Sequence, residues 1–490
     1  MDRRTISPAD AVRYLPETGD SYPFCGIRHV NEPADLSECG YTEEEYILYG
    51  RSTLYTWPDG ERYARPQMEG CPYATRILVR RPAEESAFSG CAVVEIFNWA
   101  RGYDRPIAAW GNSSDHLIRK GDAWIGVSAS ANVLTNLRRF DPVRYADLGF
   151  PNPRPVETWY SVPQAQTYHD FRTDPATEDG LVFDMLSQLG MLLKENSSRN
   201  PLYGRAAEMV LITGAMPGTL STYACAVEPV SCAAGGGHIY DGILIFMTGA
   251  PGNVNQLEEK LKPQDPRCRF SGDVPLMRLY TCGDMFGTGH HPDWAVLQRH
   301  GDEDGPERFF RSYELPGPNV FLRHVVSSEA AAGDLERMGI DNRTSGGRSS
   351  QRDAALSERN VWEFPTRYVL SALLERLKEW CRGETPPPSR LLDVEGEYPD
   401  MHFVTDSAGN VTGGVRTPFL DVPLRTLRYE AYAEPLTETE LKERYGDEEG
   451  YRRAFGASVR ECVREGFLLE EDAKAVMAEA ADVRFGAAGR

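Results

Sequence analysis

An α/β fold built on a mostly parallel sheet flanked by helices is predicted by three features of this sequence. Apolar runs short enough to be buried strands recur along the chain, among them GCAVVEIFNW, GDAWIGVSA, EMVLITGAM and YDGILIFMTG. Helical stretches lie between some of them, AAWGNSSDHLIRK and LVFDMLSQLGMLLKEN being the clearest. Strand, helix and strand in succession form the repeating unit of α/β proteins.

Taken in order, residues 1–90 alternate aromatic, polar and turn-forming residues, as in EEEYILYGRSTLYTWPDG and ATRILVRRP. That pattern suits short antiparallel strands and hairpins, a β-rich segment packed on the core. Residues 91–330 carry the strand and helix alternation and form the core. Within it, residues 132–180 are rich in Pro, Asp, Tyr and Thr with little clean periodicity (FDPVRYADLGFPNP), so they leave the sheet as an excursion of the kind that commonly covers a pocket. EMVLITGAM is followed by a small-residue turn and a helix, PGTLSTYACAV. PLMRLYTCGDMF and RSYELPG are later strands.

Residues 331–490 become helical and charged and complete the same body. RYVLSALLERLKEWCRG has apolar residues at helical spacing, and Gly383 and the prolines of TPPPS end it. TDSAGNVTGGVRTPFLDVP is a turn-rich β segment, and the last fifty residues read as two or three amphipathic helices. Those helices suit packing on the core and a homo-oligomer interface equally well.

The formal net charge of −20 comes without any basic tract, which disfavours nucleic acid and anionic membrane surfaces as partners. Neither a signal peptide nor a membrane-spanning run is present, so a cytoplasmic location is expected. The ten cysteines are scattered singly, with no C-x-x-C pair and no histidine at zinc-ligand spacing, the pattern of reduced thiols. Neither a metal nor a cofactor is expected. Function then rests on a small-molecule ligand or substrate.

Several stretches together resemble a bacterial family of alpha/beta hydrolase domain proteins. They are YPF and EEEY…YG, TRILVRRP, VVEIFN with its following Trp, FDPVRYADL, YVLSALLERLKEW, DSAGNVTGGVRTPFLDVP and the terminal ERYG…GFLLEEDA, spread in order over nearly the whole chain. The resemblance implies the α/β-hydrolase fold and esterase-like chemistry. In that fold a serine sits on a tight strand-to-helix elbow, with a carboxylate and a histidine after later strands.

At the elbow this sequence reads MVLITGAMPGTLSTY. Gly214 and Gly218 flank the turn, but Met216 holds the nucleophile position, and a thioether has no proton to give up. The next residue, Pro217, has no backbone N–H for an oxyanion. Such a donor is worth about 2.7–4 kcal/mol in a working hydrolase. The family's W-E-V-A-G strand matches Tyr313, Glu314, Leu315, Pro316 and Gly317, which puts Val320 where the histidine falls, with His324 four residues on. Its T-E-T-D stretch matches Thr281, Cys282, Gly283 and Asp284, so one carboxylate is replaced by Cys282 and Asp284 remains.

Four departures in one direction point to a pseudohydrolase that keeps its pocket for a small ligand. Two alternatives remain open. One is a lyase or isomerase using His290, His291 or His238 with Asp284 for proton transfer, since imidazole titrates near neutral pH; the same histidines equally suit polar loops. The other is a hydrolase with relocated residues such as Ser221, Cys225 or Cys282, each of which also reads as an inert packed side chain. Asn98 and Trp99 follow the VVEIF strand, where hydrolases place the second oxyanion donor, and are pocket candidates in every case. Arg101 and Asp104 read equally as pocket rim and as solvated loop.

Overall fold

The computed structural model describes residues 3–157, 174–215, 218–247, 251–258, 261–262, 264–270, 272–286, 299–305, 308–317, 329–340, 366–397, 400–428 and 432–485. The chain forms two compact units: the first comprises Met1–Leu276, Gly305–Phe309 and His324–Gly347, the second Met277–Asp304, Phe310–Arg323 and Arg348–Arg490.

The first unit is built on a sheet whose centre is parallel. Strands β4 (Cys91–Ile96), β5 (Ala123–Val127), β6 (Met209–Ala215) and β7 (Gly242–Phe246) are buried along their whole length. This burial is why they read as unbroken apolar runs rather than alternating ones. β4 pairs in parallel with both β5 and β6, and β6 pairs in parallel with β7. Helix α1 (Trp110–Lys120) connects β4 to β5. It ends at Gly121, whose φ of +74° is left-handed and whose N–H closes on Ile118 at 3.1 Å.

The N-terminal strands differ from the expected short hairpins. β1 is short (Ala11–Leu15), but β2 runs for 16 residues (Tyr41–Thr56) and β3 for 18 (Arg65–Pro82). All three are antiparallel to their neighbours, and β3 continues onto β5, so this segment extends the main sheet. The register of β2 on β3 shifts between Ser52 and Tyr55, an irregularity of the kind that lets long strands bend, while Gly50 and Pro72 sit inside the regular part of the ladder.

The expectation of weak periodicity after residue 132 also needs correcting. Ala131–Phe140 is a helix, α2, burying Ala131, Val133, Leu134, Leu137 and Phe140 on one face, and Asp141 with the following proline ends it. Residues 158–173 of the excursion lie outside the described residues. Helix α3 (Val182–Leu193), nearly all buried, follows and leads into β6.

The second unit contains β8 (Leu276–Thr281) apart from its first residue, the short helix α4 (Cys282–Phe286), β9 (Arg308–Leu315) from Phe310 onward, beside β8, and the long helix α5 (Thr366–Cys381). The turn-rich segment has bridges rather than strands, Leu392 with Gly413 and Thr405 with Val411, then a single helical turn at Pro418–Asp421. A trio of helices closes it: α6 (Glu438–Tyr445), α7 (Glu448–Arg464) and α8 (Glu470–Ala481). α6 opens with a capping box in which Thr437 and Glu440 satisfy each other's backbone N–H groups. No helix among the described residues is long and apolar enough to cross a membrane.

Candidate ligand cavity

Three strands of the first unit deliver their following loops to one place. Trp99 lies just past β4, Ala129 just past β5 and Thr219 just past β6, and all three line a cavity of about 510 Å³, mouth included. Open α/β sheets bind ligands at the carboxyl ends of their strands, where loops diverge, and this cavity has that position. Its remaining walls come from the turn and first residues of α3 (Asp179, Gly180, Val182, Phe183) and from the loop after β7 (Asn253, Asn255, Gln256).

Local chemistry explains how this wall is held. Glu178 caps the turn before α3, accepting from the Gly180 and Gln256 amides at 2.8 and 3.0 Å, and its other oxygen pairs with Arg154. Only glycine fits at 180, because a Cβ there would meet the Val254 carbonyl at 2.5 Å. Asp179, half-buried, accepts from the Ala131 amide at 2.6 Å and so ties the start of α2 to the start of α3.

Burial pushes the Asp179 carboxyl up to about 6 and the Glu178 carboxyl to about 7, each against hydrogen bonds that pull it down. The consequence for stability is opposite in sign to that of a salt-bridged carboxylate. With the unfolded carboxyl near ~3.9, the folded chain holds the proton more tightly, so stability is full below about pH 4 and falls as pH rises toward about 6. For Asp179 the loss is on the order of 1–2 kcal/mol, allowing for screening by solvent in the cavity. Asp179→Asn, which keeps an acceptor for Ala131, is therefore expected to raise the thermal midpoint relative to wild type at pH 8 and not at pH 4.5. Thermal unfolding across that range checks it, and a parallel offset at both pH values would contradict it; removing the Asp179 charge also lets the Glu178 carboxyl fall, which acts in the same direction.

Of the residues singled out by sequence, Trp99 lines the cavity. Asn98, beside it, is buried and acts as a clamp: its side-chain amide donates to the Ala215 carbonyl at 3.0 Å, and its backbone N–H donates to the Arg105 carbonyl at 2.9 Å. Asp104 is neither rim nor solvated loop, being wholly buried against Arg76 and Ser128. Arg101 pairs with Glu329 at 3.5 Å. Ser221 and Cys225 are buried on the segment after β6, and burial pushes the Cys225 thiol far up, away from thiolate chemistry. His238 sits beside Glu228 and Asp273, at 3.5 and 3.9 Å, and the hydrogen bond to Glu228 raises its affinity for a proton.

In the second unit Cys282 opens α4, buried, with its thiol 2.9 Å from the Gly317 carbonyl. Asp284 lies on the same helix, its side chain outside the described residues. Met216, Pro217, His290, His291, Val320 and His324 lie outside the described residues altogether. All ten cysteines are free thiols, and no group of metal-ligating side chains occurs among the described residues.

Sequence reasoning missed Asp179, Gly180, Phe183, Thr219 and the Asn253–Gln256 loop. Asp179 and Gly180 stood at the edge of a stretch with no readable period. The one available signal was the run of turn and cap residues TEDG before an apolar helix.

A parallel-centred α/β sheet with a cavity at its carboxyl ends and loops converging from three strands is the architecture of a small-molecule site. The chain belongs to the alpha/beta hydrolase domain family, whose model matches residues 8–478. No curated protein sequence matches it. Similar solved structures include a pair of fungal esterases from Rhizomucor miehei, 9% identical over 63% of this chain and 83% of theirs with a TM-score of 0.28. Esterase B from Lactobacillus rhamnosis is 12% identical over 64% of this chain and 89% of its own, at 0.26. An S-formylglutathione hydrolase from Agrobacterium tumefaciens is 9% identical over 56% and 87%, at 0.27. The assignment rests on the family match.

Proposed function

We propose that this protein binds a small molecule in the cavity beside Trp99 and forms no serine acyl-enzyme. The observation that carries the reading is the sequence that ends β6 and follows it, Gly214-Ala215-Met216-Pro217-Gly218. The elbow glycines are kept while the nucleophile position has no ionisable proton and the following residue no N–H. Thr219, three residues after Met216 in the sequence, lines the cavity. Ten free thiols suit a reducing compartment such as the cytoplasm.

Incubation with a fluorophosphonate is expected to leave the intact mass unchanged, and p-nitrophenyl acetate turnover is expected to be the same for wild type and Met216→Ala. A stoichiometric adduct, with turnover abolished by one substitution, would show a relocated nucleophile and a true ester hydrolase.

A second reading is favoured by Asp179. A carboxyl pushed up to about 6 and lining a cavity is poised for general acid–base work, as a lyase or isomerase requires. Its discriminating feature is turnover of a bound ligand that Asp179→Asn abolishes without loss of binding.

A further inference from the structure

Among the described residues that line the cavity, Asp179 is the charged side chain. Asp179 gives one carboxylate oxygen to Ala131, and its second oxygen has no hydrogen-bond or ion-pair partner among the described residues. Arg154, the cation on the neighbouring carboxylate, is spent on Glu178 and, at 3.4 Å, on Asn255. Several amide groups of the wall bond within the protein. The Gly180 amide goes to Glu178, the Asn255 side-chain amide to the Tyr55 carbonyl, and the Asn253 side-chain amide to the Glu258 carbonyl. With its amide turned to satisfy both ends, Gln256 donates to the Thr177 carbonyl and accepts from the Asp179 amide.

What remains free toward a ligand, among the described residues, is a carboxylate oxygen, the Asn253 side-chain carbonyl and the Thr219 hydroxyl. The rest of the wall is apolar or aromatic, with Trp99, Phe183, Val182 and Ala129. A carboxylate held without a countercharge is costly and favours a partner that supplies one, and aromatic faces add their own attraction for a cation. An anion would meet the carboxylate at close range and be repelled by it.

We propose that the cavity is a site for a small organic ammonium ion carrying an apolar or aromatic arm. The ammonium donates to the free oxygen of Asp179, with the Asn253 carbonyl and the Thr219 hydroxyl as further acceptors. The arm lies against Trp99, Phe183 and Val182. This rests on the cavity being a ligand site, as proposed above, and specifies its chemistry. Carboxylic acids, the products of ester hydrolysis, are the ligands the site disfavours.

The test uses the full chain and three probes of similar size that differ in charge: benzylamine, benzyl alcohol and phenylacetate, titrated by calorimetry at pH 7.5. Benzylamine is expected to bind at least ten-fold more tightly than benzyl alcohol, with no detectable phenylacetate binding. Asp179→Asn is expected to weaken benzylamine at least ten-fold and to leave benzyl alcohol unchanged. The wild-type charge series stands even if the variant folds poorly. Phenylacetate binding as tightly as benzylamine, or an unchanged benzylamine affinity in the variant, would overturn the ammonium assignment while leaving the cavity a ligand site. Failure of all three probes at millimolar concentration would take the ligand-site reading down with it.

Discussion

Replacing Glu95 by alanine is expected to cost about 4 kcal/mol of folding stability, more than any substitution in the cavity wall. Glu95 sits inside the wholly buried strand β4, where its neighbours are Val94 and Ile96. Its two oxygens accept four N–H groups: Ala108 at 2.6 Å, Ala109 at 3.1 Å, Trp110 at 2.9 Å and the Trp124 indole at 2.7 Å. Three of these are backbone donors at the entry to α1: Trp110 is its first residue, Ala109 its N-cap and Ala108 the residue before, and helix-entry N–H groups have no partner within the helix. Burial raises the carboxyl's affinity for a proton and the four donors offset this in part.

Alanine would leave four buried donors unsatisfied, each worth roughly 1–3 kcal/mol, offset in part by relief from burying a charge. Glu95→Gln keeps one acceptor and turns an amide against the remaining donors, so about half the loss is expected. Urea unfolding measured on both variants checks this, and a loss below about 1 kcal/mol for the alanine variant would contradict it. The effect reaches the cavity, because the loop that Glu95 anchors to α1 also carries Trp99.

The second large effect lies in the buried ion network beneath the N-terminal strands. Glu45 on β2 accepts from Arg76 on β3, from Arg144 at 2.5 Å and from the Tyr145 hydroxyl at 2.7 Å. Arg76 also pairs with Asp104 at 3.0 Å and donates to the Phe24 carbonyl. Two guanidiniums and two carboxylates thus balance in a region closed to water.

Glu45→Gln would leave one carboxylate for two arginines, and breaking such a buried pair typically costs about 3–5 kcal/mol. Adding Arg144→Met to that variant removes the uncompensated cation, so the double substitution is expected to cost less than the sum of the two singles. Equilibrium unfolding of the four-member cycle measures the coupling. Additivity within about 0.5 kcal/mol would mean that Glu45 and Arg144 are not coupled.

How much of this was legible beforehand follows from the range over which each feature is encoded. The buried parallel strands announced themselves because a strand covered on both faces must be apolar throughout, a property of five to seven consecutive residues. Helix α2 was missed because its polar residues, Asn132, Asn136 and Arg138, and the Pro-rich stretch after it masked a one-sided apolar face. Glu95 was in plain view as the one charge in CAVVEI, yet nothing in that run says that the start of α1 folds back onto it.

The sequence by itself determined the α/β class and the order of the buried parallel strands in the core, since each depends on residue type at short spacing. Only the tertiary structure decided which side chains face the cavity. Asp179 meets Ala131 across 48 residues, and Asn253 joins the same wall from the loop after β7. A carboxylate's role depends on which partners and how much water surround it after folding, and those are supplied by distant segments whose approach no local pattern records.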